Sequence, residues 1–141
     1  MFTNSSKPKS MQHAVTCLWL STGLAAAMTV LYVVGVIATD SVVLTAVTGV
    51  ITVAVLALVA AKVSSARGWA RWLFLVLYVL GSFISVLGVL LAPQVFFALP
   101  ALSQGSTVLQ FLLQTVALVL MFTKASRDWF KTRAVPEASA L

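Results

Sequence analysis

Four stretches of this chain, residues 15–38, 42–61, 72–92 and 107–123, contain no Asp, Glu, Lys, Arg or His. Each lies near the roughly 20 apolar residues that a helix needs to cross the hydrocarbon core of a bilayer. A backbone in lipid has no water to bond to, so a segment that crosses must satisfy its own amides as a helix or as a closed barrel. The two-residue alternation of a barrel strand is absent, which leaves helices. Of the 141 residues, 61% are hydrophobic and 9% charged, whereas a soluble domain carries about 25% charged residues. Soluble enzymes, disulfide scaffolds, disordered regulators and ordinary DNA-binding domains are excluded on that ground. Cys17 is the only cysteine, so neither an intramolecular disulfide nor a cysteine-based zinc site can form.

Basic residues occupy three segments. Lys7 and Lys9 precede the first apolar stretch, Lys62, Arg67 and Arg71 lie between the second and third, and Lys124, Arg127, Lys131 and Arg133 follow the fourth. Four crossings place all nine on one side of the membrane, and the excess of Lys and Arg marks that side as cytoplasmic. The net charge of +6 is thus read as an orientation signal, and no nucleic-acid partner is expected. The first stretch follows two lysines as a signal peptide would, but its apolar run exceeds the 7–15 residues of such a segment. It is expected to stay in the membrane. The expected organisation is a tail over residues 1–14, a transmembrane domain over 15–123 and a basic tail over 124–141.

Short connections make the helices antiparallel neighbours. Thr39-Asp40-Ser41 joins the first two, Ser64 to Gly68 joins the next two, and the simplest fold is an all-α, four-helix up-and-down bundle. Residues 93–105 are uncharged and apolar, with Pro93 expected to end the third helix and Phe96 and Phe97 to hold the link at the interface. After the fourth span, Ser126 is expected to cap a short amphipathic helix that stops before Pro136. Trp69, Trp72 and Trp129, together with Arg67 and Arg71, read as anchors at the inner headgroups.

Membrane helices pack through small residues and through polar side chains that bond across helices. Gly81 and Ser85, with Gly88 a heptad beyond Gly81, form such a stripe in the third span, and Thr45, Gly49 and Thr52 form another in the second. On the fourth, Ser103, Thr107, Gln110, Gln114, Ala117 and Met121 recur at three- and four-residue spacing and share a face. A glutamine amide in hydrocarbon costs several kcal/mol unless it finds a partner. Gln110 and Gln114, with Thr107, are therefore the candidate residues for a partner-binding or polar-path face. Asp40, alone on the outer side, is expected to cap the second helix, with Thr39 and Ser41 as residues that can share the role.

Arg67-Gly68-Trp69-Ala70-Arg71-Trp72 opens one span, and Phe122-Thr123-Lys124-Ala125-Ser126-Arg127-Asp128-Trp129-Phe130-Lys131 closes another. In these two stretches the chain resembles small four-span bacterial inner-membrane proteins, a grouping that supplies no activity to carry over but implies a multi-pass protein of the bacterial inner membrane. In size it is also similar to the small multidrug resistance exporters. That family needs an acid within its first span, and this chain has none there.

Catalysis lacks an acid–base pair, a nucleophile beside a base, a metal cluster and a phosphate loop, so no enzyme, metal or cofactor is expected. Pumps usually keep an ionisable residue at membrane depth. The expected function is binding within the membrane, as an immunity or accessory protein against a membrane-targeting toxin. Its expected partners are the lipid bilayer and another membrane protein or the toxin, with a homodimer as the alternative arrangement. The competing expectation is a small transporter or channel subunit for a neutral or cationic solute. A topology reporter fused after Thr39 should read as external, and one fused after Leu141 as cytoplasmic; an external C-terminus would overturn the four-span arrangement.

Overall fold

The computed structural model describes residues 7–37 and 39–138, with side chains to residue 132. It is helical throughout, with no strand among the described residues. The elements are α1 Lys9–Val33, α2 Val42–Ser64, α3 Gly68–Leu91, α4 Pro93–Phe97, α5 Ala101–Met121 and α6 Lys124–Ala138. Helices α1, α2, α3 and α5 are long and apolar enough to cross a membrane, which makes this a multi-pass membrane protein. Neighbours in the bundle run α1–α2–α3–α5 and back to α1, the up-and-down order.

Helix ends differ from the sequence expectation where the backbone turns left-handed. The first span was expected to reach residue 38, but α1 stops at Val33 because Gly35 has φ 75°. The Gly35 N–H donates to the Tyr32 carbonyl and the Val36 N–H to that of Leu31, the paired bonds that close a helix over a left-handed residue. The same pairing ends α2, where the N–H of Ala66 donates to Val63 and that of Arg67 to Lys62. There the left-handed residue is an alanine at φ 62°, a conformation that costs an L-residue about 1–2 kcal/mol. At the N-terminus of α2 it is Ser41, not Asp40, whose side chain accepts from Leu44 N–H at 3.3 Å. Asp40 stands one residue outside the helix, exposed.

Helix α3 ends two residues before Pro93, and the link beyond it is more ordered than a surface-lying segment. Pro93 opens α4, where its missing N–H is harmless, and residues 101–105 already belong to α5. The Gln104 amide donates to the carbonyls of Leu99 at 2.8 Å and Phe97 at 3.3 Å, which satisfies acceptors at the break. At the other end, α6 begins at Lys124 and continues through Pro136 to Ala138. Residue 136 falls in the last turn, where a missing N–H forgoes one backbone bond. Ser126 does not cap it. Its hydroxyl is buried inside the first turn, donates to the Leu120 carbonyl at 2.8 Å and meets Ser10 Oγ at 3.0 Å.

The buried core sits at the basic end. Met11 and Leu18 of α1 pack with Val63 of α2, Phe74 of α3, Met121 of α5 and Phe130 of α6. Trp129, expected as an inner-interface anchor, is 6% exposed and belongs to the core, because α6 folds back over the helix ends. Lys7 lies over that ring at 5.7 Å. Helix α1 runs through the middle, against α2 on one flank and α5 on the other.

Among the described glycines, Gly49 is the one that stands where two helices come close. A Cβ on Gly49 would overlap the side chain of Thr29, so α1 and α2 touch there. Around Gly81 and Gly88 there is open space, and Ser85 is exposed. The stripe expected to pack α3 against a neighbour does not do so within this chain. Gly49→Val should therefore lower stability by about 1–3 kcal/mol, while Gly81→Ala should leave it unchanged or raise it through helix propensity. Thermal unfolding in detergent distinguishes the two.

Candidate binding cleft

Helix α3 is held only near its start. Ala70 and Phe74 are buried, and from Val76 to Leu91 no side chain is. Beyond Phe74 only Tyr78 ties it to α5 by a hydrogen bond among the described residues, and the gap between α2, α3 and α5 is a cavity of about 420 Å³. Thr52 reaches it from α2, Tyr78, Gly81, Ser82 and Ser85 from α3, and Thr107, Gln110, Phe111 and Gln114 from α5. A second cavity of about 320 Å³ continues along α3 and α5 as far as Phe96 of α4. The sequence-predicted residues Gln110, Gln114, Thr107, Gly81 and Ser85 thus share one cleft. Gly88 does not line it. The inner-interface residues Arg67, Trp69, Arg71 and Trp72 lie at the basic end, on the first turns of α3.

Two glutamines on one helix face meet different fates. Gln114 Nε2 donates to Ser21 Oγ of α1 at 3.2 Å, so this amide ties α5 to the central helix. About three turns farther from the basic end, the Tyr32 hydroxyl donates to Ser103 Oγ at 2.8 Å in a second tie between the same helices. Tyr78 and Thr115 share a hydroxyl bond of 2.6 Å, the link from α3 to α5. Thr52 and Thr107 return their hydroxyl protons to their own helix backbone.

Gln110, Ser82 and Ser85 are different. Among the described residues none of their side chains makes a hydrogen bond. All three face one cavity from two helices, near the midpoints of α3 and α5. An amide and two hydroxyls at that depth must find a partner, because hydrocarbon offers none. The cavity can therefore take a guest that brings donors and acceptors of its own. Beside it on α3, Phe83, Val86 and Leu90 are exposed. A third cavity of about 310 Å³ adjoins it and reaches Phe74 and Val59 of the core. Sequence spacing alone missed Ser82 and Tyr78, although Ser82 lies three residues before Ser85 and Tyr78 three before Gly81, on the same face.

Among the described residues no three His, Cys, Asp or Glu side chains gather as metal ligands. No family model, curated protein or solved structure matches the chain.

The Gln114 tie and the open Gln110 should respond differently to substitution. Gln114→Leu leaves the buried Ser21 hydroxyl unpaired and should cost about 0.5–2 kcal/mol. Gln110→Leu should be neutral or stabilising in the isolated protein. Unfolding of both variants in one detergent checks the contrast.

Proposed function

We propose that the chain works by binding a partner helix within the membrane, the cleft between α3 and α5 being the seat. One observation carries this reading: Gln110, Ser82 and Ser85 lack hydrogen-bond partners among the described residues and converge on one cavity between α3 and α5. A gap beside the exposed flank of α3 suits a helix that already lies in the bilayer. Small residues at Gly81 and Ser85 leave room for a close approach, and a partner hydroxyl or amide would satisfy the glutamine. The packed basic end favours binding over conduction, since a path for solute would have to pass the Phe74 and Met121 layer.

Stable insertion, a complementary helix face and no demand for reactive residues suit an immunity or accessory protein of the bacterial inner membrane. A membrane-targeting toxin, or the receptor it attacks, is the kind of partner such a seat would take. A photoreactive side chain at Val86 should crosslink that partner, whereas one at Val30 should not. Gln110→Leu combined with Ser85→Leu should lower capture about tenfold, the loss expected for one or two interhelical hydrogen bonds. Solute flux through liposomes that contain this protein alone would overturn the reading in favour of a transporter.

A further inference from the structure

The first turn of α3 holds a cation that the cleft does not involve. The Arg71 guanidinium carbon lies 5.2 Å from the centre of the Phe130 ring, 5.7 Å from that of Phe122 and 5.9 Å from that of Trp72. Its Nε and Nη1 are buried and have no hydrogen-bond partner among the described residues. Aromatic faces attract a cation but supply no lone pair to its N–H groups. An arginine remains charged under all ordinary conditions, so this charge sits in an aromatic cage with no ion-pair partner among the described residues.

The cage is closed on one side and open on the other. Phe130 is buried, but Trp72 is 54% exposed and Arg71 itself is partly exposed, which leaves Nη2 as the nitrogen that faces out. Trp69, half-exposed in the same turn, puts this opening at headgroup depth. Arg67 precedes Arg71 by one turn and Lys124 follows Phe122 by two residues, both exposed. The segments that carry the cage thus each bring an exposed basic residue, with exposed Asp128 the acid on α6.

We infer that Arg71 binds the phosphate of an anionic phospholipid headgroup, which enters beside Trp72 and is surrounded by Arg67 and Lys124. A guanidinium in this position matches the chemistry: the outward Nη2 donates to phosphate oxygens, and such charge-assisted bonds are the strong ones. The bound lipid covers the junction of α3 with the α5–α6 turn, the same place where α3 is fastened to the bundle.

The test uses the full chain in a maltoside detergent, titrated with phosphatidylglycerol and read as retained lipid by native mass spectrometry. Arg71→Gln should lower retention about tenfold, the loss expected for a charge-assisted hydrogen bond. Arg71→Lys should fall between that variant and the wild type, and Lys131→Gln should match the wild type. A galactolipid, which lacks phosphate, should not be retained, and excess inorganic phosphate should not displace the phospholipid. Unchanged retention by Arg71→Gln would overturn the inference, and displacement by inorganic phosphate would reassign the site to the free ion. Should Arg71→Gln fail to fold, solid-state NMR of the wild type in phosphatidylglycerol decides the matter. Magnetisation transfer from lipid phosphorus to an arginine side-chain nitrogen should appear and persist in Arg127→Gln, and its absence would count against the site.

Discussion

The seating of α1 between α2 and α5 is the interaction on which the rest of the molecule depends. Hydrocarbon gives helices no hydrophobic reason to associate, so close contact and interhelical hydrogen bonds must hold them. Both are concentrated on α1: Gly49 admits Thr29 on the α2 side, and Ser21 and Tyr32 bond to Gln114 and Ser103 on the α5 side. With those valences used, α3 is left to attach through its first two turns and a single tyrosine hydroxyl. The cleft follows from that inequality.

Polar groups at membrane depth fall into two sets under the same constraint. Most are satisfied inside the chain, either by a neighbouring helix or by their own backbone four residues earlier. Gln110, Ser82 and Ser85 are not, and the cost of leaving them so is borne by the core at the basic end. Proteins tolerate such local deficits chiefly where something else supplies the missing partners. The basic end shows the same logic in opposite polarity: a guanidinium surrounded by rings, at the depth where phosphates are abundant.

Much of this was legible from the residues. Charge-free runs gave four helices, Pro93 ended the third, and the glutamine spacing picked out the face that carries both the tie to α1 and the open amide. What was missed has identifiable causes. Gly35 was passed over because glycine is ordinary inside membrane helices, and only its backbone angle marks a stop. Ala66 carries no signal at all for a left-handed turn. Asp40 and Ser41 are both good caps, and the chain direction at the turn chose the second. A small-residue stripe tells where another helix is able to approach, not whether one is there, so Gly81 and Gly49 looked alike. Trp129 satisfied the pattern of an interfacial anchor, yet the fold-back of α6 depends on contacts far apart in sequence.

Fastened at one end, α3 behaves as a cantilever in the bilayer. A membrane that is thinner or thicker than the helices must be accommodated by tilt, at a modest cost per ångström of mismatch. The adjustment falls on the least restrained element, which here is the stretch beyond Tyr78, from Val79 to Leu91, and the α4 break that follows it. The opening between α3 and α5 is thereby coupled to hydrocarbon thickness, so the lipid around this protein is one of the determinants of its geometry.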